Sequence, residues 1–175
     1  MKAAEEAAFR DYVGARMERL RRTAFLYCRD WHTADDLVGT TLVKLYQHWH
    51  RAQRAGNLDA YVHGMLAHAW LDERRRPWRR EFSTEPGSAS FDRVVHPDAS
   101  SDERELLRTA LLRVPERRRA VLVLRFWLDL SIEQTADLLG CSPGTVRSQS
   151  TRGLNDLREA LGRDLDELRT RSTEG

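Results

Sequence analysis

The sequence predicts an all-α chain arranged as two helical units joined by a flexible acidic linker. Three observations lead there. Apolar residues recur at steps of three and four through most of the chain. Outside 120–130, an apolar run that could be taken for a buried strand, no segment alternates apolar and polar residues between hairpin turns. Residues 81–102, with Ser83, Pro86, Gly87, Ser88, Ser90, Pro97, Ser100 and Ser101 amid acids, have few large apolar side chains and read as a tether.

The N-terminal unit, 1–80, contains three predicted helices. The first spans 5–29, with Phe9, Val13, Met17, Leu20, Ala24 and Tyr27 on one stripe. The second follows Thr33 as N-cap, with Asp36 facing its positive end. Its apolar stripe is Leu37, Val38, Leu42, Leu45, Tyr46 and Trp49, and Gly56-Asn57 breaks the pattern. The third opens at Asn57 as cap, carries Leu58, Val62, Met65, Leu66 and Ala69 inward, and runs into Arg74-Arg75-Arg76, where Pro77 stops it. Three helices with one apolar face each predict a compact bundle. In the linker, Phe91, Val94 and Val95 are the side chains that could dock elsewhere.

The C-terminal unit, 103–162, opens on a capping-box pattern, Ser100-x-x-Glu103. Leu106, Leu107, Ala110, Leu111 and Val114 form a stripe that ends at Pro115. The run 120–130 is assigned to helix, because its neighbours are helical and no partner strand exists. Ser131-Ile132-Glu133-Gln134 is a second capping box, and Leu139-Gly140 ends the helix it opens. Ser142-Pro143 then supplies an N-cap followed by proline at the first helical position. With small Ala136, a glycine turn at Gly140 and an apolar plug at Val146, this spacing predicts a helix-turn-helix. Its second helix shows Thr145, Arg147, Ser148, Gln149, Ser150, Thr151 and Arg152 and contains no acid from 145 to 155. A merely solvated helix face has no reason to lack acids, so DNA binding is the favoured reading. Residues 163–175 read as a tail without an added domain.

Charge is unevenly placed. Residues 1–80 carry 15 Lys and Arg against 10 acids, residues 81–102 one against five, and residues 103–175 13 against 12. The basic excess is therefore local to Arg74, Arg75, Arg76, Arg79 and Arg80, beside Tyr61, His68, Trp70 and Trp78. That is the composition of a polyanion-binding face. No window is apolar enough to span a membrane, and the acidic start Glu5-Glu6 does not look like a secretory signal. With only Cys28 and Cys141, far apart, the chain is expected to be cytoplasmic and reduced. Cys28 and His32 have helical spacing but no second ligand pair, so neither metal nor cofactor is expected. HExxH, P-loop and Gly-x-Ser-x-Gly patterns are absent, and an enzyme is not expected.

The order of parts carries a resemblance. Ala34-Asp35-Asp36-Leu37-Val38 with 45–49, then Asp59-Ala60-Tyr61-Val62 with 71–80, resemble region 2 of extracytoplasmic-function RNA polymerase sigma factors, group 4 of the sigma-70 family, especially the SigE-like subfamily. Residues 114–126 and Gly140-Cys141-Ser142-Pro143-Gly144-Thr145-Val146-Arg147-Ser148 resemble their region 4. The resemblance covers all but the linker and the last dozen residues. It implies core RNA polymerase and promoter DNA, both duplex and non-template single strand, as partners. Asp35, Asp36, Thr40 and Lys44 would meet the β′ clamp helices, and region 4 the β flap. The −10 element would be held by Arg51, Arg54, Asn57, Asp59, Tyr61, His68, Trp70, Arg74, Arg75 and Arg76, with Trp70 equally suited to the bundle core. The −35 element would be read by Ser142, Gly144, Thr145, Arg147, Ser148, Gln149, Thr151 and Arg152. An anti-sigma protein is a further implied partner, and the acidic linker would thread the polymerase channels. Two positions depart from the pattern: Gly39, where glutamine is frequent, and Gln149, where many relatives are basic. The rival reading is a conventional helix-turn-helix regulator that binds an operator as a dimer.

Overall fold

The computed structural model describes residues 3–75 and 102–173, and within these every regular element is helical. Helix α1 spans Ala3–Cys28, α2 Trp31–Gln47, α3 Trp49–Ala52 and α4 Leu58–Arg75. In the second unit α5 spans Asp102–Leu112 and α6 Glu116–Leu122, which runs on into a π turn at Val123–Trp127. Then come α7, Ile132–Leu139, and α8, Pro143–Thr173. The expected cap at Ser100 and stop at Pro77 lie outside the described residues, as do Arg76, Trp78, Arg79 and Arg80 and the linker up to 101.

Helix α1 packs Leu20, Thr23, Ala24 and Tyr27 inward, and Thr23 settles its buried hydroxyl on Arg19 O at 2.9 Å. Arg29 takes a left-handed backbone (φ 53°) and turns the chain into α2. The cap of α2 is Asp30, not the expected Thr33: the Asp30 carboxylate accepts from Thr33 N at 2.8 Å and from Thr33 Oγ1 at 2.6 Å. Three residues after the cap, Thr33 presents one of the orphan amides of the first turn, so it is the recipient of the cap. Trp49 does not continue the α2 stripe. The chain bends at His48, and α3 delivers Trp49 and Ala52 into the core, with Phe9 edge-on to Trp49 at 5.3 Å. Asn57 caps α4 as expected, through Ala60 N to Oδ1 at 3.0 Å.

Helix α4 departs from the bundle expectation. Ala60, Val62, His63, Gly64, Leu66, Ala67, Ala69, Trp70 and Leu71 are all buried, which takes up nearly its whole circumference. One side meets α1 and α2, the other meets α6 and α7. The two units therefore share one continuous apolar core, from Leu20, Leu45 and Leu66 through to Leu111, Leu124 and Leu130. The two helical units expected from the sequence are thus in contact with one another. A helix apolar on two faces must bury both, and α7 is the cover for the second.

In the second unit the π turn is fixed by Leu128 N to Val123 O at 3.0 Å, and Asp129 (φ 55°) redirects the chain toward α7. Helix α8 runs without interruption past Gly162, and Asp164 is buried and paired to Arg113 at 2.8 Å. The start of the expected tail is thus tied to the end of α5.

Candidate nucleic-acid interface

The helix-turn-helix is assembled by local chemistry that the sequence signals in full. Ser131 Oγ accepts from Gln134 N at 3.0 Å while Gln134 Oε1 accepts from Ser131 N at 2.8 Å, so both orphan donors are satisfied. Gly140 sits at φ 63°, a left-handed conformation that costs a residue with a Cβ. Cys141 N closes the turn on Ala136 O at 3.0 Å. Ser142 Oγ then accepts from Thr145 N at 3.1 Å, with Pro143 next in line. Ala136, Val146 and Val121 pack into a small core of their own under the turn.

Helix α8 crosses α6 closely. A Cβ on Gly153 would lie 3.1 Å from Leu122 Cγ and 3.3 Å from Arg118 Cβ, so the absent side chain sets the distance between the helices. The opposite face of α8 is open. Gly144, Arg147, Ser148, Thr151 and Arg152 are all exposed and recur at i, i+3, i+4, i+7 and i+8, which makes one stripe. Thr145 and the cap Ser142 flank it, both exposed. Gln149 is placed differently. It is half-buried, and its Oε1 is buried without a protein partner in a small cleft shared with Leu71, Arg117, Leu139 and Thr145. It stands beside α4, at the margin of the stripe.

The α4 candidates are split among three environments. Arg51, Arg54 and Asn57 are exposed around the turn before α4, Tyr61 is half-buried and Arg75 is exposed at its end. The Arg16 Nε–H is shared between the two carboxylate oxygens of Asp59, at 3.0 and 3.1 Å. Burial would raise its pKa, but hydrogen bonds from Arg16 and Tyr12 outweigh that and hold it below the usual carboxylate range. Asp59 is thus engaged in fixing α1 to α4. His68, Trp70 and Arg74 face the second unit: His68 Nε2 is 2.7 Å from Leu138 O, Arg74 pairs with Glu116 at 3.0 Å, and Trp70 is only 4% exposed. Of the two environments open to Trp70, the structure puts it in the core.

Sequence reasoning missed the residue beneath Trp70. Arg119 is buried, donates to the carbonyls of Tyr27, Leu112 and Val114, and stands 5.7 Å from the Trp70 ring centroid. Desolvation lowers its pKa to about 10, with Glu116 partly compensating. Three consecutive arginines, Arg117 to Arg119, fan out by about 100° each on a helix. All three fit on the solvent arc of a helix, so nothing in the sequence marked Arg119 as the buried one. His63, whose spacing from His68 does not suit a metal site, is buried in α4, and burial lowers its pKa to about 4.

On α2, Asp36, Thr40 and Lys44 are exposed along one side with Val43, which is 60% exposed, and Tyr46. Asp35 is bound bidentately by Arg21, at 2.6 and 3.1 Å. Gly39 lies on the same exposed side, with open space where a Cβ would go. A second apolar surface is a groove of about 550 Å³ between the units, walled by Phe25, Trp31, Leu107, Leu111, Phe126 and Trp127 and edged by Arg22, Arg104 and Arg108. Cys28 gives its thiol hydrogen to backbone oxygen, and burial pushes its pKa up to about 11. Among the described residues no cluster of three candidate metal ligands occurs, and no helix is long and apolar enough to cross a membrane.

A helical unit with a basic helical edge, followed by a helix-turn-helix with an acid-free reading face, defines a DNA-binding transcription protein. Comparison with known proteins gives the family. Residues 13–80 match the model for sigma-70 region 2, and residues 104–157 that for sigma-70 region 4. The chain is 34% identical over 165 residues to the RNA polymerase sigma-E factor of Streptomyces coelicolor, covering 93% of this chain and 91% of that protein. It is 35% identical over 170 residues to the sigma-E factor of Streptomyces avermitilis, covering 93% and 90%. The ECF sigma factor SigE of Mycolicibacterium smegmatis is 28% identical over 164 residues, 90% of this chain and 63% of that one. In fold the chain is similar to the sigma factor RpoE of Bartonella quintana, solved in complex with the anti-sigma factor NepR, at a TM-score of 0.71 and 22% identity, over 89% of this chain and 97% of that one. The chain belongs to the extracytoplasmic-function group of sigma-70 family RNA polymerase sigma factors.

Proposed function

We propose that this sigma factor carries out initiation through three separate surfaces. Core polymerase docks on the exposed side of α2, where Asp36, Thr40 and Lys44 surround the apolar Val43 and Tyr46, with Asp35 held at its edge by Arg21. An exposed valine among charged residues fits a partner helix that buries it and pairs with the rim. The non-template strand of the −10 element is held by Arg51, Arg54, Asn57 and Tyr61 around the start of α4 and by His68, Trp70, Arg74, Arg75 and Arg76 toward its end. Asp59 positions the first group through Arg16. Cationic side chains track phosphates, and aromatic rings offer stacking faces that tolerate any base.

The −35 duplex is read by the α8 stripe of Gly144, Arg147, Ser148, Thr151 and Arg152, with Ser142 and Thr145 at its N-terminal end, where a recognition helix reaches base edges. This stripe is the observation that carries the reading: exposed, continuous, able to donate and accept, and without a carboxylate of its own, with Glu133 of α7 as the neighbouring acid, 3.9 Å from Arg147. Gln149 contributes from its margin. The apolar groove bounded by α5 and the π turn suits an amphipathic helix from the β flap or from an anti-sigma protein, as NepR is for the Bartonella relative.

The test is reconstitution. Core polymerase mixed with the purified chain should start transcripts, mapped by sequencing, at sites that core polymerase alone does not use. A chain that footprints a pseudo-palindromic operator by itself, and gives core polymerase no new start sites, would instead be a conventional regulator.

A further inference from the structure

The α8 stripe has no acid of its own from 145 to 155, yet a carboxylate from the preceding helix reaches it. Glu133 Oε1 stands 3.9 Å from Arg147 Nη2, with the two side chains 67% and 60% exposed. A pair so open to water adds little to the stability of the fold. Glu133 is not needed to start α7 either. Gln134 N donates to Ser131 Oγ at 3.0 Å and Ser131 N donates to Gln134 Oε1 at 2.8 Å, so the cap is complete without it. The cap does fix where Glu133 stands, on the first turn of α7. The left-handed Gly140 and the small core of Val121, Ala136 and Val146 hold that turn against α8. A carboxylate on a face that meets DNA repels the phosphates of every sequence alike. Its benefit has to lie in discrimination.

We propose that Glu133 is a specificity-determining residue of −35 reading: it holds the Arg147 guanidinium for a base edge and opposes its use on a phosphate. This rests on the assignment of the α8 stripe to the −35 duplex. A guanidinium carries its N–H donors in a flat fork. Guanine O6 and N7 occupy one edge of that fork and leave donors for Glu133 on another, so base contact and ion pair are compatible. A phosphate contact is not, because it draws Arg147 away from Glu133 and brings the carboxylate toward a like charge. A repulsion set against the wrong contact gives specificity as an attraction for the right one does. The hydroxyls nearest Arg147 along α8 are otherwise engaged. Ser148 Oγ donates to Thr145 O at 3.0 Å and Thr151 Oγ1 donates to Arg147 O at 3.1 Å, which leaves Glu133 as the group set against the guanidinium.

The experiment uses holoenzyme made from core polymerase and the full-length chain. It is given a promoter library randomised through the −35 element, and transcripts are sequenced to score each base at each position. Wild type should prefer guanine at a position where Arg147→Ala erases the preference. Glu133→Gln keeps an oxygen acceptor and removes the charge. It should lower the guanine preference about two- to fivefold, the scale of an exposed ion pair. The change should come from more transcripts at the other three bases, with those from guanine promoters maintained. In an Arg147→Ala background Glu133→Gln should change nothing. A guanine preference that Glu133→Gln leaves intact overturns the proposal, and so does a uniform fall in yield at all bases, which marks a structural role. An equal shift with Arg147 already removed also overturns it, since Glu133 would then contact a base itself. A wild type indifferent to every −35 base would instead overturn the assignment of the stripe, and the proposal with it.

Discussion

Two mid-helix glycines provide an internal control for packing, and the pair Gly39→Ala and Gly153→Ala is the sharpest stability experiment on this fold. Each substitution gains about 0.8–1 kcal/mol of helix propensity, because alanine loses less backbone entropy on folding than glycine. At Gly39 the added methyl enters open space on the solvent side of α2, so the gain should appear nearly in full. At Gly153 the methyl arrives 3.1 Å from Leu122 Cγ and 3.3 Å from both Leu122 Cδ1 and Arg118 Cβ. Two of the three neighbours belong to one buried leucine, which cannot retreat without displacing the core. Overpacking of this kind costs about 1–3 kcal/mol, so Gly153→Ala should end between near-neutral and about 2 kcal/mol destabilising. Urea titration followed by circular dichroism measures both. The midpoints should move in opposite directions, with Gly39→Ala raising Tm by about 2–4 °C. Equal stabilisation by both would refute the claim that Gly153 sets the approach of α8 to α6. Gly153→Ala should also weaken initiation at its promoters, by tilting the reading helix, with core polymerase binding unchanged.

Arg147→Ala should reduce −35 recognition by about 1–3 kcal/mol, the value of a good base contact. Gln149→Ala, at the cleft margin, should do less, and mobility-shift assays with promoter duplex would expose any reversal of that order. Buried His63 makes stability fall as the solution is acidified. Its pKa of about 4 lies below the ordinary 6.5, so the unfolded chain binds the extra proton between these values. Stability from this group is complete above about pH 6.5 and falls by on the order of 3 kcal/mol toward pH 4. His63→Gln should flatten that slope in denaturation curves taken across the window. Replacing Arg74, Arg75 and Arg76 with alanine should shorten open-complex lifetimes at every promoter. It should also reduce the salt dependence by somewhat under one unit of slope for each phosphate that is no longer neutralised, and an unchanged slope would move strand binding to the turn at 51–57.

Trp70 is stacked on Tyr27 of its own unit and approached by Arg119 from the second unit, so moving the second unit away would remove only the Arg119 cover. The ion pair of Asp59 with Arg16 likewise lies wholly within the N-terminal unit.

Sequence alone determined the helix-turn-helix, which local chemistry controls, although at α2 it put the cap at Thr33 where Asp30 holds it. The capping box at Ser131, the left-handed Gly140, the Ser142-Pro143 start and the buried Val146 all stand where their spacing predicted, because each depends on neighbours within a few residues. The acid-free stripe on α8 was legible for the same reason, since helical phase follows from the backbone once the start is fixed. The partnership of the two units was not legible. Residues 60–71 read as one amphipathic helix with a few small residues to spare, and only the arrival of Leu138 over Gly64 shows that the second face is also core. Likewise three arginines in a row look equally solvated until tertiary contacts with Tyr27 and Trp70 make Arg119 the buried one. Those contacts span the chain between residues far apart in sequence. Their choice depends on the summed burial of both units, a quantity that no local pattern contains.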